Sequence, residues 1–506
     1  MITASRERLA DAVFLLAALV MILVRFRILR EGGAPPTIDA GDWLAHGDAI
    51  FGSRIRSSVI VYPPLVPILT KASVAAFGLT GGVSLLGAIA ATAPAAGLYL
   101  ALRMIGAGFV AIGPALLLLG AGSIGEATAW GGYPQLIGLG LAPLVLILVD
   151  RVLSTWESRD ALAAGFTLAA LMATSHFITS AVGLGVIALV ILRLPELNRP
   201  SASRMLRCIV LVLLPTLWLV PLYLVLISAF AGVSREFSFF NELTWSGLWD
   251  QIEFLYRDLA WLWRVLVASA VVAPIFFLRH RATPLWRLTT SMLLAIVGIL
   301  ALTREGRFVY LLTPYTALGV SLWVAHGPAR VARMVRGWTQ RGVTAAALSA
   351  LLIAALIQID TGKDFFRNQR SYYGVLTPDL VAGIEYVKDT TSPDTVLAVT
   401  SLNDAPLGRW VEAIADRETY YGAPLQWLLF EVDLERSALA NELFIPPFPD
   451  ETRIRAAAEQ GIDLILVPTG WVFYDEDGID EFATSNPDAV EYVTPELVVI
   501  DPTKLP

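Results

Sequence analysis

Long apolar stretches recur through the first 358 residues, and they leave this chain few ways to fold. They fall at about 9–29, 83–102, 107–122, 134–150, 161–175, 178–193, 206–230, 259–279, 287–303, 308–327 and 342–358. Each is close to the ~20 residues a helix needs to cross a bilayer. Only 16% of the 506 residues are charged, against about 25% in soluble domains. The expected fold is therefore a polytopic α-helical membrane protein of about 11 spans. Residues 9–29 lack a small-residue cleavage pattern after them and read as a retained first span.

Charge divides the chain. Residues 360–506 carry 27 acidic and 10 basic side chains, against 17 and 27 in residues 1–359. A basic membrane part, 1–358, and an acidic soluble part, 359–506, follow from that asymmetry. In the second part, residues 378–389 and 452–460 read as helices, and 395–399, 462–467 and 498–500 as strands. This predicts a small α/β domain. The single cysteine, Cys208, allows no internal disulfide.

Arginines set the expected orientation. Clusters at Arg151 and Arg159, at Arg193, Arg199, Arg204 and Arg207, at Arg279, Arg281 and Arg287, and at Arg330, Arg333, Arg336 and Arg341 mark cytoplasmic loops. A cytoplasmic N-terminus satisfies all of them. Residues 62–78, with Pro63, Pro64 and Pro67, then form no full span. Loop 30–60, loop 122–134, the turn at His176, the turn 303–308 and the α/β domain all face outward. Arg25, Arg27 and Arg30 break the rule, and read either as snorkelling side chains or as contacts to a lipid phosphate.

The unusual polar residues gather on that outer side. Thr37-Ile38-Asp39-Ala40-Gly41-Asp42-Trp43 places two acids in the first loop. Either Asp42 caps a helix starting at Trp43, or the amphipathic run that follows holds it at headgroup height as a base. Glu126 precedes Trp130, Gly131, Gly132 and Tyr133. That segment reads as a rigid turn with interfacial aromatics, or as an acid beside rings that pack on sugars. Arg304 and Arg307 end one span and open the next; guanidinium donates paired hydrogen bonds to phosphate. His176 sits between two short spans.

In order along the chain, the first-loop acid with its aromatic, the Tyr62-Pro63-Pro64 step, the many short spans and the outward terminal domain resemble the GT-C class of glycosyltransferases. These include oligosaccharyltransferases and mannosyltransferases, and take sugar from a polyprenyl-phosphate donor. The resemblance implies that Asp42, with Asp39 next, is the catalytic base, with Glu126 the alternative acid. It implies that Arg307, with Arg304, holds the donor phosphate, and that Trp130, Tyr133 and His176 line the substrate site. Gly408-Arg409-Trp410-Val411-Glu412 resembles a degenerate Trp-Trp-Asp segment of oligosaccharyltransferases, adding Trp410 and Glu412. The second Trp is missing, which puts an asparagine-sequon acceptor in doubt.

The implied reaction is inverting hexosyl or pentosyl transfer to a glycan, glycolipid or protein acceptor at the outer face of the plasma membrane, in cell-envelope glycan biosynthesis. A divalent cation such as Mg or Mn stays open, although the acids match no known metal-ligand spacing. No phosphate-binding glycine loop, zinc-protease or nucleophile-elbow motif is present, and nothing points to nucleic acid. A transporter or flippase would instead show charges at mid-span and internal pseudo-symmetry. A non-catalytic scaffold would bind glycans through residues 360–506.

Overall fold

The computed structural model describes residues 2–52, 62–196, 201–232, 246–247, 249–250, 253, 260–303, 306–335, 339–399, 407–420, 436, 439–440, 442–445, 448–469 and 476–505. Helix α1 (Ile2–Leu29) leads into the first loop, which folds as α2 (Ala40–Phe51). Next come α3 (Leu65–Phe77), α4 (Leu79–Ala90), α5 (Ala93–Met104), α6 (Ile112–Leu119) and α7 (Gly122–Trp130). Then follow α8 (Tyr133–Thr155), α9 (Ser158–Met172), α10 (His176–Arg193), α11 (Ala202–Leu213) and α12 (Val220–Gly232). Helices α13 (Ala260–Phe276), α14 (Pro284–Thr303), α15 (Leu312–Met334) and α16 (Gln340–Tyr373) complete the bundle.

Among the described residues, eight helical stretches are long and apolar enough to cross a membrane, or nine if α6 and α7 form one span bent by 44°. The remaining two of the eleven expected spans, 161–175 and 259–279, correspond to shorter helices, with 15 and 17 described residues. Helix α3, with 13 residues, is shorter still, as its prolines predict. Helix α16 runs unbroken across positions 358 and 359.

Arg25 neither snorkels nor waits for a lipid. It is 4% exposed and donates to the carbonyls of Ala91 (2.9 Å) and Leu119 (2.5 Å). Those carbonyls close α4 and α6, where a helix leaves its last acceptors unused, so the guanidinium ties two helix ends together.

The bundle has two chemically different ends. At one, Asp150 accepts from Arg193 (2.8 Å) and Arg287 (2.9 and 3.1 Å), and Arg204 donates to the carbonyls of Trp156 and Thr155. Three of the arginine clusters meet there. Helices α8, α10 and α14 carry the chain from this end to the other, where Tyr133, His176 and Thr303 lie. A helix of 23 residues such as α8 spans about 35 Å.

After α16 comes the α/β domain: α17 (Pro378–Thr390), β1 (Val396–Val399), α18 (Gly408–Ala415), β2 (Glu418–Thr419), α19 (Glu451–Glu459), β3 (Leu464–Pro468), α20 (Glu476–Ser485), β4 (Val490–Val493) and β5 (Leu497–Ile500). The sheet order is β2-β1-β3-β5-β4. Strand β1 is parallel to β2 and β3, whereas β5 is antiparallel to β3 and β4. All residues of β3 and β5 are buried, as expected for strands covered on both faces.

Candidate active site

Thr37 bends the first loop with φ +80°, a left-handed conformation uncommon for a residue with a side chain. Helix α2 then starts at Ala40, three residues earlier than a cap at Asp42 requires. Asp39 occupies the cap position without a side-chain cap bond, and Asp42 falls in the first turn, 5% exposed. Two hydrogen bonds fix this helix to the Gly-Gly turn: the Asp39 amide donates to the Trp130 carbonyl (3.0 Å), and the Trp43 indole to the Gly131 carbonyl (2.8 Å).

His46 lies one turn on, its Nδ1 2.6 Å from the Asp42 carbonyl. A carbonyl only accepts, so Nδ1 carries the proton and Nε2 is the acceptor. Burial lowers the His46 pKa, against the opposing pull of that carbonyl and of the Glu412 charge. The imidazole is therefore neutral at pH 7.

From here a relay of rings crosses the site. Trp43 and Tyr62 have centroids 4.6 Å apart, His46 and Tyr62 5.9 Å, and Tyr62 meets His176 edge-on at 5.7 Å. His176 lies 4.3 Å from Phe177, over which the Arg307 guanidinium sits at 5.5 Å. Loss of water raises the Tyr62 phenol pKa; Arg307 pulls it down and Asp42 pushes it up. A carboxylate and a guanidinium thus act on one ring from two separate elements.

Glu126 belongs to a neighbouring cluster. It is 4% exposed and accepts from the Tyr373 hydroxyl (2.9 Å), the Trp130 indole (3.3 Å) and the Tyr310 hydroxyl. Tyr133 is fully buried, its hydroxyl 3.3 Å from the Val83 carbonyl. In the α/β domain, Trp410 is fully buried and donates to the Thr37 carbonyl at 2.9 Å. Glu412 accepts from the Thr419 hydroxyl (2.8 Å) and amide (3.3 Å). Arg304 lies outside the described residues. Among those described, no three His, Cys, Asp or Glu side chains converge as metal ligands.

Asp42, His176 and Arg307 are thus gathered around Tyr62, whereas Glu126 and Trp130 form the adjoining cluster. Sequence reading did not single out His46, Tyr62 as a ring on which both charges act, or Tyr373. A signal for Tyr62 existed: a residue before proline is held extended, which limits where its side chain points.

No family model matches the chain, and no curated relative matches it. Solved structures do, and they define the fold as GT-C-like. ArnT from Cupriavidus metallidurans in the apo state aligns with a TM-score of 0.59 at 14% identity, covering 97% of this chain and 98% of that one. The same protein bound to undecaprenyl phosphate aligns at 0.57 and 13%, with the same coverage. The Archaeoglobus fulgidus oligosaccharyltransferase tethered to an acceptor peptide with an NVT sequon aligns at 0.52 and 14%, covering 91% of this chain and 69% of that one. The chain is a multi-pass membrane protein of that fold with a terminal α/β domain.

Proposed function

We propose that the protein is a membrane glycosyltransferase that moves a sugar from a polyprenyl-phosphate donor to an acceptor hydroxyl. The observation that carries this reading is the ring series Trp43, Tyr62, His176 and Phe177, which runs from the helix that bears Asp42 to the ring under the Arg307 guanidinium, with both charges acting on the Tyr62 phenol. The GT-C-like fold supports it, as does undecaprenyl phosphate bound to ArnT.

Asp42 takes the proton from the acceptor hydroxyl as general base. The hydroxyl oxygen forms a bond to the anomeric carbon, and the bond from that carbon to the phosphate oxygen breaks with inversion. The phosphate leaves with the electron pair, and Arg307 stabilises the charge that builds on it. His176, packed against Tyr62 and Phe177, lines the donor side, and Trp130 the acceptor side. Tyr133, Trp410 and Glu412 support the site from behind. By the positive-inside rule the arginine-rich end is cytoplasmic, so the chemistry faces outward.

The test uses reconstituted protein, a panel of polyprenyl-phosphate hexoses and pentoses, and glycan, glycolipid and peptide acceptors. Acceptor-dependent release of polyprenyl phosphate is the expected result, lost in Asp42→Asn while donor binding persists. Full turnover in that variant moves the base to Asp39. Movement of intact donor between leaflets without bond cleavage makes the protein a flippase.

A further inference from the structure

The Glu126 carboxylate accepts from three side chains, Trp130, Tyr310 and Tyr373, which come from three separated parts of the chain. Tyr373 ends α16; Tyr310 belongs to the 3-10 turn Gly306–Leu311 that also carries Arg307; Trp130 closes α7. The Trp130 indole is shared, 3.3 Å from both the Glu126 carboxylate and the Tyr310 hydroxyl. Rings of Trp130 and Tyr310 also meet edge-on at 6.5 Å. Three donors already fill most of the lone-pair directions of a carboxylate. Such an oxygen pair is poorly placed to take a proton from substrate, and well placed to fix the groups around it.

What it fixes extends further in one direction. The Trp130 carbonyl receives the Asp39 amide at 3.0 Å, and the Gly131 carbonyl receives the Trp43 indole at 2.8 Å. Those bonds set where α2 begins, and hence where Asp42 stands in its first turn. In the other direction, Tyr310 follows Arg307 by three residues, one turn of the 3-10 helix that carries both. We infer that Glu126 is a positioning residue: one buried carboxylate joins the segment that carries Asp42 to the segment that carries Arg307 and sets their separation. The inference rests on the reading of Asp42 and Arg307 as base and phosphate ligand. Near-attack geometry is sensitive to such spacing, a shift of about 1 Å costing up to about 100-fold in rate.

The roles of base and of positioning group separate in two measurements on full-length protein. The first needs no activity: hydrogen–deuterium exchange in lipid nanodiscs for wild type, Glu126→Gln and Glu126→Ala. The expected result is faster exchange in Glu126→Ala at both 39–47 and 306–313, with the buried strand 464–468 unchanged and Glu126→Gln intermediate. Change at one segment only, at neither, or evenly through the chain including 464–468, overturns the inference.

The second measurement is the pH–rate profile with a donor that wild type turns over. Glu126→Ala lowers kcat by about 10- to 100-fold while the limbs of the profile keep their positions, and Glu126→Gln recovers part of the loss. Disappearance of a limb in Glu126→Gln makes the residue an acid or base and overturns the positioning role. If wild type turns over no donor, the transferase reading fails while the exchange result still decides what Glu126 holds.

Discussion

The Arg307 guanidinium sits over the face of Phe177 and acts on Tyr62 and His176, which places its charge at the ring series of the site. Lysine at that position keeps the charge but loses the planar fork that grips two phosphate oxygens. Arg307→Ala is expected to lower kcat by about 100-fold or more, with Arg307→Lys in between, read as polyprenyl phosphate released per second. His46 gives a pH signature. Its folded pKa lies below the unfolded value near 6.5, so the unfolded chain binds the extra proton first. Stability is therefore complete above about pH 6.5 and falls as pH drops below it. Thermal unfolding followed from pH 7.5 to 5 should show this loss, and His46→Gln should flatten that part of the curve.

At the scale of elements, the contact between α18 and the first loop is the join that matters. Trp410→Phe keeps an aromatic ring, though a smaller one, and removes the N–H that reaches the Thr37 carbonyl, at a cost of about 1–3 kcal/mol. Trp410→Ala also opens a cavity, costing about 3–5 kcal/mol. Differential scanning measurements on the two variants should rank them in that order; equal effects would make the hydrogen bond, not the packing, the whole of the interaction. The same scale shows which parts of the fold were readable beforehand. Strands β3 and β5 stand out because both faces are covered and every residue is apolar. Edge strands β2, two residues long, and β4, alternately half-buried and exposed, leave no such run. Asp42, His176 and Arg307 were legible as residue types out of place in their loops. Tyr373 was not, because 247 residues separate it from Glu126 and no local pattern records that pairing.

Across the whole molecule, the buried Asp150–Arg193–Arg287 network marks one end of the bundle and the Asp42–Tyr62–Arg307 group the other. Sidedness follows as a prediction. In a Cys208→Ser background, a membrane-impermeant thiol reagent should modify Asp488→Cys on intact cells and Arg281→Cys only after permeabilisation; both positions are exposed. The reverse pattern would turn the site toward the cytoplasm. Helices α9 and α13 are the shortest of the expected spans, with 15 and 17 described residues, yet α9 joins the arginine-rich end, where α8 stops, to the end where α10 begins at His176.

Thr37 and Trp410 touch although they stand 373 positions apart in the chain. During synthesis the first loop leaves the ribosome long before its partner exists, and at about 5–20 residues per second the wait is tens of seconds. Throughout that interval α1 to α16 can insert and pack, but the left-handed bend at Thr37 lacks the indole that braces it. A chain cut short before residue 410 would carry the first-loop acids and Arg307 without that brace. The bend in the first loop is thus braced only after residue 410 has been made and α18 has folded against it.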